Sequence, residues 1–389
     1  MSANTSTHNP KQVDELADIT DAVTRFAQRE IAPHVSQWDD AGEFPRALYA
    51  KAAGLGLLAL GYPEALGGVP ASWRLRNAMT VALCRHGGSG GVLASLFSHN
   101  IGLPPVLAHG SAALQQAVVP AVLRGDKIAA LAITEPGGGS DVAALRTTAR
   151  REGSDYVIDG EKVFITSGMR ADYLTVAVRT GDSKGASGIS MILVPGDAPG
   201  LSRTALRKMG WHCSDTAQLR FDGVRVPAAN LLGEEGSGFK IIMNNFNGER
   251  MAMSAAALGF AQACFDEALD WARQRKTFGQ ALVERQVIRH KLVDMQMRIA
   301  STQAWVEQLA NRADAGDAGP DWVANVCMLK NHATQTMQFC ADQAVQILGG
   351  MGYMQGTKSE RIYREVKVMM IGGGAEEIMK DLAARQLGL

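Results

Sequence analysis

Between residue 131 and about residue 232 the sequence changes its texture. Apolar runs there are short and strand-like: Tyr156-Val-Ile, Lys162-Val-Phe-Ile, Tyr173 to Val178, and Ile189 to Val194. Glycine, Asp or Ser separates them, as in a β domain. On either side the apolar residues fall at helical spacing. From Val13 they recur at Leu16, Ile19, Val23 and Phe26, and Pro33, just after Ile31, lies near the expected helix end. Glycines interrupt the pattern around 54–68 and 87–91, and it resumes toward Leu123. After Gly238 four helical stretches follow, roughly 239–273, 281–312, 321–348 and 375–387, broken at Gly316 to Pro320. The order is α, β, α, and the long C-terminal stretches suit a bundle with short connections.

At 389 residues the chain is too long for one small core. Its 39 basic and 39 acidic side chains cancel, which argues against a dedicated nucleic-acid binder. The five cysteines are scattered and odd in number, with no CxxC pair and no zinc-ligand spacing, so no metal site is expected. They read as reduced thiols. Met1 to Gln12 is polar and resembles neither a secretory signal nor a mitochondrial presequence. No apolar run approaches a membrane span, and a cytoplasmic protein is the expectation.

Five segments carry candidate chemistry. Leu131-Ala-Ile-Thr-Glu-Pro-Gly-Gly-Gly-Ser-Asp141 has a glycine run that would let backbone approach a ligand, but by glycine count alone it is a plain turn. Glu249 falls inside the apolar stripe Ile242, Phe246, Met253, Ala256, Phe260 and Cys264. Its neighbours three and four residues away are not basic, and Arg250 lies about 100° around the helix. A carboxylate so placed either has an ion-pair partner on another element or becomes a stronger base. Arg275-Lys-Thr-Phe-Gly-Gln280 reads alone as a charged helix end, and Gln346-Ile-Leu-Gly-Gly350 as a glycine-capped one. Ile371-Gly-Gly-Gly-Ala-Glu-Glu377 reads as a linker before a terminal helix with acids in its first turn.

Together, in this order, these segments and Lys162-Val-Phe-Ile-Thr-Ser-Gly168 resemble the acyl-CoA dehydrogenase family, from about residue 13 to 389. The resemblance implies an α+β chain. Residues 1–130 would form an N-terminal α-helical domain and 131–235 a middle β-barrel-like or β-sandwich domain. Residues 236–389 would form a C-terminal four-helix bundle. It also implies FAD. Leu131, Ile133, Thr134, Gly139, Phe164, Ile165 and Thr166 would line the flavin, and Ser140 would touch both cofactor and coenzyme A. Arg275, Thr277, Phe278, Gln286, Gln346, Ile347, Gly349 and Gly350 fall where a second subunit reaches the adenosine diphosphate half, so a homotetramer is expected. Asn247 and Arg250 match positions near the pantetheine arm. Electron-transfer flavoprotein is the implied electron acceptor.

One segment departs from the family's commoner pattern. Most members carry the catalytic Glu in a Tyr-Glu-Gly-Thr stretch near the C-terminus, where this chain has Gly372-Gly-Gly-Ala375. Isovaleryl-CoA and long-chain dehydrogenases instead place the base on the preceding helix, at the position of Glu249. Glu249 is thus the expected base, with Glu376 and Glu377 as runners-up. Gly372 and Gly373 remove bulk beside the reacting carbons, which suits a branched or bulky acyl chain, and the Gly373 N–H could still donate to the thioester oxygen. Val92 to Phe97, at the expected far end of the pocket, is neutral and mostly apolar, against a diacid. Two alternatives stand beside the dehydrogenase: an oxidase of the same superfamily, and a flavin or acyl-CoA binding protein without catalysis.

Overall fold

The structure is a computed structural model that describes residues 10–181, 183 and 185–389, with side chains from residue 15 onward. The reading of Met1 to Gln12 as free of a targeting signal falls largely outside the described residues. The chain forms two compact units, each assembled from separate stretches: Met1–His34, Ala71–Ser89 and Ala252–Val366 in one; Val35–Pro70, Gly90–Met251 and Lys367–Leu389 in the other.

The first unit is helical. Pro10–Phe26 packs on Trp73–Gly87, and Gln286–Asp314 packs on both Trp73–Gly87 and Trp322–Leu348. Ser72 caps Trp73–Gly87 by accepting from the Leu75 amide at 3.1 Å, and Gly88 ends it at φ 63°. Asp314 adds a carboxylate at the same N-terminus, accepting from the Trp73 and Arg74 amides at 2.6 and 3.2 Å. Gly259 lets two helices meet backbone to backbone, since a Cβ there would sit 2.6 Å from the Val81 carbonyl oxygen. The helix Lys358–Ile371 lies outside the four stretches read from the sequence, although Ile362, Val366 and Met369 fall at helical spacing and are buried.

The second unit is built on an eight-stranded sheet: β1 Ala129–Ala132, β2 Thr148–Glu152, β3 Asp155–Thr166, β4 Tyr173–Arg179, β5 Ile189–Pro195, β6 Leu201–Ala205, β7 Thr216–Pro227 and β8 Leu231–Leu232. The order is β6-β7-β3-β2-β4-β5-β8, with β1 parallel to β4. The first two apolar runs of the sequence, Tyr156-Val-Ile and Lys162-Val-Phe-Ile, are one strand, β3. β4 and β5 are buried on both faces, which is why their sequences run apolar without alternation. Leu103, Val106, Val118, Val119, Ile241 and Ile242 pack with the sheet residues Ala177, Met191 and Leu193 in one core.

Helices at both ends and a sheet between them make this the α+β architecture the sequence implied. Among the described residues no single helix is long and apolar enough to cross a membrane.

Candidate active site

Glu249 lies on the helix Gly238–Gln274, in the part that belongs to the sheet-bearing unit. The stripe expected to bury it is buried at Ile242 and again at Ala256, Phe260 and Cys264, but from Met243 to Gly248 it is mostly half-buried. Glu249 is half-buried too. Arg250 beside it is the buried member, at 4 % exposure. Its Nε donates to the Gly373 carbonyl at 2.9 Å, its Nη1 reaches Asn247 Oδ1 at 3.4 Å, and its guanidinium lies 5.5 Å from the Phe246 ring centroid. The residue next to Glu249 therefore holds the glycine loop that the sequence alone leaves unplaced.

That loop is glycine for a backbone reason. Gly373 and Gly374 have φ of 66° and 116°, which side-chain-bearing residues adopt at a cost. A Cβ on Gly374 would also lie 2.3 Å from Met379 Cε. We predict that Gly374→Ala lowers stability by about 1–3 kcal/mol, combining backbone strain with overpacking. Thermal melting checks this; an unchanged melting temperature would contradict the loop geometry. Glu376 and Glu377 sit in the first turn of Glu376–Leu387, and Glu376 is 2.7 Å from Lys380 Nζ.

Asn245, one turn before Glu249, donates to the Ile101 carbonyl at 2.9 Å. Residues 98–102 are in turn bound to the sheet: Ser98 Oγ donates to the Ala129 carbonyl at 2.9 Å and Thr175 Oγ1 to the Gly102 carbonyl at 2.7 Å. β1, which contains Leu131, then runs straight into Ile133 and Thr134. Of the stretch Val92 to Phe97, Leu93 and Ala94 are half-buried and the rest are buried. Ser95 uses its hydroxyl on Ser214 Oγ at 2.7 Å and its carbonyl on Tyr49 OH at 2.9 Å. No Arg or Lys occurs from Gly90 to Leu103.

The expected flavin-side residues divide by exposure. Ile133 and Ile165 are buried, and the Ile133 carbonyl accepts from Lys162. Leu131, Thr134 and Thr166 are half-buried, and Gly139 and Ser140 are exposed. Phe164 is 69 % exposed at φ 63°. β3 slips one residue against β7 here, from Lys162 opposite Leu219 to Ile165 opposite Ala217, and this bulge turns Phe164 outward. A non-glycine residue held at positive φ in a strand is a strained feature of the kind found at ligand sites. The glycine run adapts the adjoining loop to the same use. None of Gly137, Gly138 and Gly139 has positive φ, and a Cβ on Gly137 or Gly138 would meet nothing within 4 Å. The chain's own folding does not require glycine at 137 or 138, which leaves this backbone open to close approach by a ligand. Exposed Phe164 with half-buried Leu131, Thr134 and Thr166 fits a flat aromatic cofactor.

A buried ion pair fixes this loop. Lys162, with no exposure, donates from Nζ to Glu135 Oε1 at 2.8 Å and to the Ile133 carbonyl at 2.9 Å. Glu135 accepts from the Arg146 and Thr147 amides at 2.6 and 2.9 Å. Burial pushes Lys162 down to about 8, against the pull of Glu135. For Glu135 burial acts upward, but Lys162 and the Thr147 donors outweigh it and hold the carboxyl below its usual range.

The remaining residues assigned to the cofactor lie in the helical unit. Lys276–Thr277 and Gln280–Ala281 form a hairpin whose corner is Phe278, 97 % exposed at φ 51°, and Gly279 at φ 80°. Arg285 supports it, donating from Nη2 to the Thr277 carbonyl at 2.9 Å with its guanidinium 5.9 Å from the Phe278 ring centroid. Arg275, Gln286 and Gln346 are exposed, and Thr277 is half-buried. Ile347 is buried, Gly349 caps Trp322–Leu348 at φ 62°, and Gly350 is exposed.

Comparison with known proteins matches the chain to three acyl-CoA dehydrogenase family models: the N-terminal domain over residues 13–126, the middle domain over 130–224 and the C-terminal domain over 236–388. It is 37% identical to cyclohexane-1-carbonyl-CoA dehydrogenase of Geobacter metallireducens, over 96% of this chain and 97% of that one. A crystal structure of a probable acyl-CoA dehydrogenase from Mycobacterium abscessus superposes with a TM-score of 0.93 at 44% identity, covering 98% of this chain and 99% of that one. A chain from a structural study of the electron transferring flavoprotein of Acidaminococcus fermentans superposes with a TM-score of 0.91 at 30% identity, covering 100% and 99%. The chain belongs to the acyl-CoA dehydrogenase family. It is an oxidoreductase of the class that dehydrogenates acyl-CoA thioesters with FAD.

Proposed function

We propose that this chain desaturates a neutral, branched or bulky acyl-CoA at Cα–Cβ, with Glu249 as the base for the α-proton. The observation that carries the proposal is the position of Glu249: half-buried, between the Asn245 bond to Ile101 and the Arg250 bond to the glycine loop. An α-proton beside a thioester is weakly acidic, so the base must be held close and the carbonyl oxygen must receive donors. Arg250 sets the loop whose Gly373 N–H is the candidate donor, and Asn247 lies within the same cluster. FAD, when bound, accepts the hydride from Cβ. Phe164, Leu131, Thr134 and Thr166 would flank its ring, with Ser140 toward the coenzyme A arm.

Glycine at 372 and 373 and the uncharged stretch from Gly90 to Leu103 support a bulky, neutral acyl group. The similarity to a dehydrogenase of a cyclic carbonyl-CoA points the same way. We propose a cytoplasmic homotetramer that passes electrons to an electron-transfer flavoprotein. Exposed Phe278, Tyr353, Met297 and Val287 offer apolar surface for subunit contact.

The test is anaerobic titration of the flavin with isovaleryl-CoA, cyclohexane-1-carbonyl-CoA, butyryl-CoA, palmitoyl-CoA and glutaryl-CoA. The first two should bleach the main flavin band with the highest kcat/KM, glutaryl-CoA with the lowest. A preference for glutaryl-CoA over neutral chains would overturn the substrate reading. Stoichiometric peroxide in air would assign the chain to the oxidases, and failure to bleach with any thioester would favour a binding protein.

A further inference from the structure

We propose that Asn245 is a positioning residue for the base: a strut that fixes Glu249 relative to the strand leading to the flavin. The inference rests on the reading of Glu249 as base. Residues four apart on a helix share a face, so Asn245 lies one turn below Glu249 on the same side. Its Nδ2 donates to the Ile101 carbonyl at 2.9 Å; a carbonyl accepts only, which fixes the amide's orientation.

The segment that receives this bond is immobilised from its other side. Ser98 and Thr175 tie it to the sheet through the Ala129 and Gly102 carbonyls. His99 Nε2 lies 2.9 Å from the Leu58 carbonyl. Gly102 approaches β1 so closely that a Cβ would be 3.1 Å from the Ala130 backbone. The base helix is thus braced, through one side-chain amide and one short segment, against β1. β1 contains Leu131 and continues directly into Ile133 and Thr134. Proton removal at Cα and hydride loss at Cβ need base and flavin at a fixed separation, and a misplacement of about 1 Å can cost about 10²-fold.

The experiment compares wild type, Asn245→Ala and Glu249→Gln as FAD-loaded enzymes. Anaerobic flavin reduction is followed with isovaleryl-CoA, unlabelled, deuterated at Cα and deuterated at Cβ. Asn245→Ala should keep FAD and bind the thioester within about threefold of wild type. Its reduction should slow by about tenfold or more, with a larger Cα isotope effect and a smaller Cβ effect, because proton transfer loses its geometry and becomes the more rate-limiting of the two transfers. A general loss of packing would not separate the two isotope effects.

Wild-type reduction and isotope effects in Asn245→Ala, with Glu249→Gln inactive, overturn the strut alone. Wild-type reduction in Glu249→Gln overturns the base assignment and the strut with it. Should Asn245→Ala fail to fold, Gly102→Ala disturbs the same brace from the β1 side. It should show the same selective rise in the Cα effect, and its absence overturns the proposal.

Discussion

Glu249→Gln is expected to keep its FAD spectrum and lose about 10²–10⁴-fold in the rate of anaerobic flavin reduction. The amide has the size of the carboxylate but cannot accept the α-proton, so binding survives and chemistry does not. Stopped-flow bleaching with the best thioester of the panel measures this directly. Two other acids compete for the role on sequence. Glu377 is exposed, and Glu376, half-buried like Glu249, is paired with the exposed Lys380 on the first turn of its helix. Equal bleaching by variant and wild type would nevertheless return the role to them. Neither Glu376→Gln nor Glu377→Gln should lower the rate by more than about threefold, well short of a general base's contribution.

The second large effect concerns the loop under the flavin-side strand. Lys162→Met and Glu135→Gln each leave the other member of a buried pair without its partner, and each should cost about 3–5 kcal/mol. Chemical denaturation checks the stability, and FAD retention in gel filtration checks the loop. The double variant should recover part of the loss. Recovery will be incomplete, because the Glu135 carboxylate also serves the Arg146 and Thr147 amides. Glu135 gives the pair an acid dependence. Its folded pKa lies below its ordinary value, so the unfolded chain takes up the proton first. The stabilisation is present above the ordinary carboxylate pKa and is lost as the pH falls through the depressed one. Lys162 acts at the alkaline end. Between about 8 and its ordinary 10.5 the unfolded chain holds a proton that the folded chain has released, so this contribution rises with pH. Acid melting that is identical in wild type and Glu135→Gln would rule the linkage out.

Much of the fold and part of the site are legible in the amino-acid sequence, because they lie in local pattern. Glu249 interrupts an apolar stripe at helical spacing, and that signal needs only one helix to read. The strand-like runs after residue 131 likewise announce the sheet. What escapes depends on partners far away in sequence. Helical spacing sets Arg250 about 100° around from Glu249 without a partner in view, yet it is buried, and Gly373 accepts from its Nε 123 residues away. Lys162 passes as an ordinary strand residue until Glu135 is set beside it. Alternation along β3 would set Phe164 and Lys162 on one face. A one-residue slip against β7 buries Lys162 and exposes Phe164. Of these, the Lys162–Glu135 pair leaves a trace in the sequence, as a Lys inside an otherwise apolar run. Asn245 leaves none, since an asparagine on a half-buried helix face is ordinary.

The bond from Arg250 to Gly373 also sets a timetable. A ribosome adding about 5–20 residues per second reaches Gly373 roughly 6–25 s after Arg250. Through that interval the nascent chain already carries the whole sheet and the turn bearing the base, but not the loop that Arg250 is built to grip. A buried guanidinium must wait for the last stretch of polypeptide, Lys367–Leu389, before its unit is complete. Deletions at the C-terminus should therefore harm a centre whose other parts were synthesised long before, and the terminal helix belongs to the assembly of the site as much as to the stability of the fold.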